Sequence, residues 1–325
     1  VVALACLLLF NFFFTPHFFR MEVKDGHLYG NLIDILKNAA PIMLLAIGMT
    51  LVIATKGIDI SVGSVVAISA GVVAILLGGD LGGAVRNPLW VAILVALVAS
   101  ALAGLWNGIL VSRIGMQPMI ATLILFVAGR GIAMVLTNAM VVWLYVKPFA
   151  ILGQGYVLGL PTSIFLVLGL LLLTILLTRR TAIGLFIESV GINPTAARFS
   201  GINAKNILLG VYVFCGFCAG LSGLVVCSTV MSADGNNAGN LFELDAILAV
   251  VLGGTSMNGG KFFLVGSMVG ALIVQTLTTT IYAFNVAPEI SQVVKALVVY
   301  GVSLMQSERF RRKVAGLFVK GSAAA

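Results

Sequence analysis

Charge is what this sequence has least of. Only 9% of its 325 residues are Asp, Glu, Lys or Arg, while 60% are hydrophobic. Soluble domains carry about 25% charged residues, so too few remain here to cover a water-facing surface, and a soluble enzyme is excluded. Histidine is nearly absent: His17 and His27 are the only two, both early in the chain. There is no H-E-x-x-H, no G-x-S-x-G and no carboxylate pair beside an acid–base partner, so no hydrolytic or metal-catalytic constellation assembles. A phosphate loop is missing too. Around Lys261 the pattern needs Gly six residues earlier and Ser or Thr next, where the chain has Thr255 and Phe262. Any ATP hydrolysis is expected from a partner, and no cofactor or metal is expected in this chain.

Cysteine is scarce as well. Cys6, Cys215, Cys218 and Cys227 all lie in apolar runs. The Cys215-x-x-Cys218 spacing suits a redox or metal half-site, but no His or second Cys pair accompanies it. Small side chains packing one helix on another is the reading that fits. Nothing requires an oxidising compartment. The net charge of +8 does not point to nucleic acid either, because the basic residues form no Arg-rich or aromatic-rich strip.

Long apolar runs are what the sequence has most of. A helix needs about 20 apolar residues to cross a bilayer. Ten segments qualify as spans, some of them short: 1–19, 39–56, 61–78, 88–112, 117–136, 160–178, 206–230, 243–257, 262–283 and 288–307. The first lacks a small-residue cleavage site and reads as a span, not a signal peptide. Because the chain opens at Val1 without Met, its N-terminus is expected to be incomplete, and 321–325 (Gly-Ser-Ala-Ala-Ala) reads as a cloning remnant. Residues 1–320 are expected to form one transmembrane domain of the all-α class. Pro41, Pro88, Pro118, Pro161 and Pro288 fall near the starts of spans, where a missing N–H costs least. Orientation follows from the basic residues. If the first span leaves the cytoplasm, twelve Lys and Arg lie inside, including the clusters Arg179–Lys205 and Arg309–Lys320, against five outside. Both termini are then cytoplasmic.

Two spans look interrupted. Segment 39–56 runs into Lys56-Gly57-Ile58-Asp59, and 243–257 is short, with Gly253-Gly254 and Gly259-Gly260 around its end. Broken helices are tolerated at membrane depth only where protein or a water-filled cavity satisfies the backbone. The strings after the breaks, Val62-Gly-Ser-Val-Val-Ala67 and Val265-Gly-Ser-Met-Val-Gly270, are alike, which suggests an internal repeat of the transporter kind.

Polar groups inside the spans are the candidate pathway. Asp59, Asn107, Arg130, Asp245, Asn258, Gln275, Gln292 and Lys295 lie in or at the ends of spans. An ionisable group at the bilayer centre costs about 2.5–3.5 kcal/mol even on the lenient scale. Such groups therefore face the bundle interior or water, as the lining of a polar route, a proton relay, or structural pairs across helices. Glu289, Gln292 and Lys295 share one helical face by their spacing, which favours a route. The segment 179–205 is distinctive in another way. Asn193-Pro-Thr-Ala-Ala-Arg198 combines a capping residue, Pro at the first helical position and helix formers, and Gly201 is a stop. It predicts a short helix outside the membrane, with Glu188 before it: an ordinary connector or a docking element.

Three stretches carry a resemblance. Gly57-Ile-Asp-Ile-Ser-Val-Gly-Ser64, Glu188–Asn203 (Glu-Ser-Val-Gly-Ile-Asn-Pro-Thr-Ala-Ala-Arg-Phe-Ser-Gly-Ile-Asn) and Leu244–Ser256 (Leu-Asp-Ala-Ile-Leu-Ala-Val-Val-Leu-Gly-Gly-Thr-Ser) resemble the ribose-type sugar ABC importer permeases, in the same order and over nearly the whole chain. Within that group, Ala233-Asp-Gly-Asn-Asn-Ala-Gly239 resembles the galactofuranose importers. The resemblance implies a bacterial inner-membrane subunit that passes a monosaccharide through a permease dimer interface. Its partners would be a second permease as a heterodimer, two ATP-binding subunits or a fused tandem ATPase, and a periplasmic sugar-binding protein. Carried onto this chain, Asn193, Pro194, Ala196, Ala197, Arg198, Phe199 and Gly201 form the coupling helix in a groove of the ATPase, with Ala196 and Ala197 its smooth face. The Gly57–Ser64 motif, with Ser61 and Ser64, and Leu244–Ser256 would flank the path. Phe262-Phe263 departs from the small residues common in the family, narrowing the path or facing lipid. An ion-coupled secondary transporter, with protons on Asp59, Asp245 or Lys295, is the alternative.

Overall fold

The protein is described by a computed structural model that covers residues 2–15, 18–24, 27–78 and 87–284, and part of 290–301. The chain groups into two compact units, Phe18–Leu272 and a second made of Val1–His17 with Ile273–Ala325. Helix dominates. In chain order the helices are α1 Val2–Phe14, α2 Asn31–Ala54, α3 Val62–Leu77, α4 Leu89–Ile109 with a π-helical turn at Leu110–Ile114, α5 Pro118–Leu136, α6 Lys147–Gln154, α7 Thr162–Arg180, α8 Ile183–Ile192, α9 Pro194–Phe199, α10 Ala204–Val230, α11 Phe242–Leu252 and α12 Leu264–Ala283. Short antiparallel ladders qualify the all-α expectation: β1 Glu22–Lys24 pairs β2 His27–Tyr29, β3 Val141–Trp143 pairs β6 Ser232–Asp234, and β4 Tyr156–Val157 pairs β5 Leu160–Pro161.

Six of these helices are long and apolar enough to span a membrane: Asn31–Ala54, Leu89–Ile114, Pro118–Leu136, Thr162–Arg180, Ala204–Val230 and Leu264–Ala283. Ala3–Phe14, Val62–Leu77 and Ile183–Ile192 are apolar but shorter. The expected span 243–257 is an 11-residue helix, and most of 288–307, the Arg309–Lys320 cluster and 321–325 lie outside the described residues.

The expectation for 39–56 needs correction. Helix α2 begins at Asn31 and runs unbroken for 24 residues, about 36 Å at the α-helical rise. Its first two turns carry Asn31, Asp34, Lys37 and Asn38, which mask it in a hydropathy reading, yet Ile33 and Ile35 are buried. Pro41 therefore sits inside the helix and not at its start. The missing N–H of Pro41 leaves the Lys37 carbonyl without its helical donor, and Ser222 Oγ of α10 ties the Pro41 carbonyl itself to the neighbouring helix at 3.0 Å.

In the larger unit, α2 is the central post, with 83% of its apolar stretch buried against 22% for α4 and 28% for α5. It packs against α10, α11 and α7, while α10 also covers α3 and α4. Close approach is bought with small residues. A Cβ on Gly216 would lie 2.5 Å from Ser100 O and 2.8 Å from the Gly104 Cα, so α10 and α4 touch through their backbones. Cys215 and Cys218 serve the same purpose against Gly48 of α2. Hydroxyls tie neighbouring helices: Ser69 Oγ to Gly220 O at 2.8 Å, Ser64 Oγ to Phe126 O at 2.6 Å, and Thr50 Oγ1 to Ser267 Oγ at 2.7 Å. In the smaller unit, Asn11 Nδ2 donates to Thr280 Oγ1 at 2.7 Å, and the Phe10 and Phe284 rings lie 6.1 Å apart.

The α4–α10 crossing generates a test. Gly216→Ala should lower stability by about 1–3 kcal/mol through overpacking, read as an earlier thermal unfolding midpoint in detergent. Gly169→Ala on α7, with nothing within 4 Å of the added methyl, should leave the midpoint unchanged or raise it. Equal midpoints for Gly216→Ala and the parent would refute the backbone contact.

Candidate functional site

The two breaks close by the same local geometry. At the end of α2, Lys56 adopts φ 63°, with Lys56 N donating to Ile53 O and Gly57 N to Val52 O, both at 3.0 Å. At the end of α11, Gly254 adopts φ 90°, with Gly254 N donating to Val251 O at 3.0 Å and Thr255 N to Val250 O at 3.3 Å. Each is a Schellman closure, which satisfies the last carbonyls of a helix. Glycine is the ordinary residue at such a position. Lysine at 56 is accounted for by its side chain, whose Nζ donates to Ile192 O at 2.9 Å. The similar strings Val62–Ala67 and Val265–Gly270 fall in the first turns of α3 and α12, each after its break.

The breaks meet each other and the end of α8. Gly260 N donates to Ala54 O at 2.8 Å. A Cβ on Gly191 would stand 2.6 Å from Gly260 N and closer still to Ala54 O, so only glycine admits this three-way contact. Two residues further on, the chain enters α9. Asn193 Oδ1 accepts from Thr195 N at 3.0 Å and Ala196 N at 3.1 Å, Pro194 takes the first helical position, and Gly201 with φ 83° ends the helix in a third Schellman closure. The capped helix read from the sequence is thus present. One part of that reading fails: Ala197 is only 4% exposed and turns into its own chain, so it cannot enter a groove. The outward face is Pro194, Thr195, Ala196, Arg198 and Phe199, the last 88% exposed. Glu188 lies in α8, a helix the sequence reading passed over.

Of the expected path residues, the structure joins three. Asp59 Oδ1 accepts from Ser61 N at 2.9 Å, Ser61 Oγ at 2.6 Å and Asn107 Nδ2 at 3.4 Å, while Asn107 Nδ2 also donates to Ser61 Oγ at 2.8 Å. Thr122 Oγ1 accepts from Ile60 N and donates to Ile58 O, fastening the same loop to α5. This knot is buried, but it is not closed: Asn107 Oδ1 has no hydrogen-bond partner among the described residues. Ser64 is likewise engaged with α5. Asp245 is half-buried in the first turn of α11, Asn258 is exposed in a turn held by Ser256 Oγ, Gln275 is half-buried on α12, and Gln292 is exposed. Lys295 lies outside the described residues. Phe262 is core and Phe263 half exposed.

Of two further groups, Arg130 was singled out in the sequence and Glu243 was missed. Arg130 Nη1 donates to Ala238 O at 2.7 Å and to Asn236 O and Gly235 O at 3.3 and 3.4 Å, gathering the turn between β6 and α11 onto α5. That turn is also braced by Asp234, which accepts from Asn236 N, Asn237 N and Asn237 Nδ2. Partial burial pushes the Asp234 pKa up, but these donors and the Arg130 charge outweigh it, and the carboxyl titrates below its ordinary value. Glu243 is buried next to Gly63, and its Oε2 has no hydrogen-bond partner among the described residues. The Leu-Asp-Ala-Ile motif draws attention to Asp245 and away from the Glu two positions earlier.

A family model described as the permease component of the branched-chain amino acid transport system matches residues 31–303. The chain belongs to this permease family. It is 47% identical over 317 residues to the galactofuranose transporter permease protein YtfT of Escherichia coli, covering 98% of this chain and 91% of the relative. The fructose import permease protein FruF of Bifidobacterium longum is 38% identical over 98% of this chain and 89% of its own length. For the ribose import permease protein RbsC of Escherichia coli the identity is 36%, over 95% of this chain and 93% of the relative. No solved structure matches.

The cap of α9 gives a direct test. Asn193→Ala removes the acceptor for two amides and should cost the helix about 1 kcal/mol, seen as roughly fivefold faster hydrogen exchange at Thr195 and Ala196. Asn193→Asp should retain the slow exchange. Unchanged exchange in Asn193→Ala would show that the cap does not order α9.

Proposed function

We propose that this chain is the membrane-spanning subunit of an ATP-driven importer that brings a monosaccharide, galactofuranose foremost, from a periplasmic binding protein into the cytoplasm. The observation that carries the reading is similarity over nearly the whole chain to permeases named for galactofuranose, fructose and ribose. The family description names amino acids, but those relatives are sugar permeases, and they decide the substrate class. None of their names points to an ion-coupled carrier.

In this reading residues 1–320 form one permease domain of about ten spans in the inner membrane, the shorter helices and 288–307 making up the number, with both termini in the cytoplasm. A second permease subunit completes the route as a heterodimer. Two ATP-binding subunits, or a fused tandem ATPase, supply the hydrolysis, and the outward face of α9 is their contact. Asp245, Gln275, Gln292 and Lys295 offer hydrogen bonds to a hydroxyl-rich solute stripped of water. Asp59, Ser61, Ser64 and Asn107 hold the wall, bonded to one another and to the backbone. Asn258 lies in the second break. The contact among Ala54, Gly191 and Gly260 makes the breaks and the root of α9 one body, so a displacement of α9 by the ATPase reaches both breaks together.

Proteoliposomes holding this chain, its second permease subunit and the ATP-binding subunits, supplied with the binding protein, should accumulate labelled galactofuranose only when given ATP. Omission of this chain should reduce uptake to background, and leucine should not compete. Uptake driven by a proton gradient without ATP would overturn the reading.

A further inference from the structure

Three cations from three elements surround one cleft. Its volume is about 650 Å³, and its walls include Arg113 from the π-helical turn after α4, Arg198 from α9 and Lys205 from the first turn of α10. No acidic side chain lines it, and none of the three cations is in an ion pair among the described residues. All three are exposed. Arg113 Nη2 donates to Asn206 Oδ1 at 2.6 Å, a bond that steadies the guanidinium while using one of its several donors. Like charges converging on a shared space repel one another and lower the energy of an anion placed there.

The cleft continues the outward face of α9, because Pro194 and Thr195 line it beside Arg198. Its occupant must therefore belong to whatever α9 meets. We propose, resting on the import reading, that the cleft receives an Asp or Glu side chain of the ATP-binding subunit. Carboxylates are the anions a folded protein can insert there, and a guanidinium takes one through paired N–H donors. Phe199, next in the chain and 88% exposed, adds an apolar contact beside the charged one. The contact so formed reaches beyond α9. Arg113 closes the span Leu89–Ile114 and Lys205 opens the span Ala204–Val230, the two helices whose backbones touch at Gly104 and Gly216. A carboxylate held among the three cations ties the ATPase to the feet of both spans as well as to α9. Movement of the ATPase then bears on the α4–α10 crossing and on the two breaks together.

The test uses the assembled complex in neutral detergent: this chain at full length, its second permease subunit and the ATP-binding subunits. A carbodiimide joins an amine to a carboxylate in direct contact, with no spacer. Peptide mass spectrometry should then find Lys205 linked to an Asp or Glu of the ATP-binding subunit. Arg198→Glu combined with Lys205→Glu should lower retention of that subunit roughly tenfold at low ionic strength. Lys147→Glu, on the helix α6 that packs at the far end of α10 through Gly153 N and Ser228 Oγ at 2.8 Å, should match the parent. Both reversed positions are exposed, and an unchanged thermal midpoint would show that the double variant folds. The crosslink is read on the parent, so it holds even where that variant does not fold. A parent chain that retains no ATP-binding subunit would overturn the import reading, and this assignment with it. A complex that assembles yet gives no link from Lys205 to a carboxylate of the ATP-binding subunit, or that withstands the double charge reversal, would leave the import reading standing and overturn the cleft as the acidic contact.

Discussion

The N–H of Gly260 and the carbonyl of Ala54 meet at 2.8 Å, and much of the architecture follows from the need for that bond. A buried helix break has no water to complete it, so each N–H and C=O it releases must find a partner in the protein. Here α2 and α11 first fold their last carbonyls back on themselves through matching closures. What is still unsatisfied at one break is then answered by the other. The price of this arrangement is space: Gly191 must pass both breaks with no side chain at all.

That contact also explains how six residues can matter. A helix as short as α9 is marginal alone, because isolated helices below about 12–15 residues barely form in water. Its order comes from Asn193 at one end, Gly201 at the other and Ala197 turned inward. A single residue, Ile192, separates Gly191 from Asn193, so the segment proposed to meet the ATPase is rooted where the breaks join. Lys56 reinforces the root by reaching the last carbonyl of α8.

Much of this was legible in the residues, and the remainder was hidden for identifiable reasons. Asn193, Pro194 and Gly201 act through local backbone chemistry, so their spacing gave the ends of α9. Gly-Gly pairs and Lys56-Gly57 marked the breaks for the same reason. Pro41 misled, because the polar residues of the first two turns of α2 hid the helix that precedes it. The burial of Ala197 could not be read either, since six residues carry too little periodicity to define a face. Polar residues in apolar runs can be singled out in a sequence, but whether a side chain lines a route or spends its bonds internally depends on tertiary partners. Asp59, Ser61 and Asn107 turned out to bond to one another. The short strands gave no signal because two or three residues cannot establish a period of two.

The account rests on the two breaks and the root of α9 moving as one body. A direct measurement replaces Lys56 and Ile192 with cysteines in a chain otherwise free of cysteine, joins them with a short bifunctional thiol reagent in the assembled complex, and follows ATP-driven sugar uptake. If the breaks and α9 move together, the linked complex transports at close to the unlinked rate. Uptake that stops on linking, and returns when a cleavable linker is cut, would contradict the account.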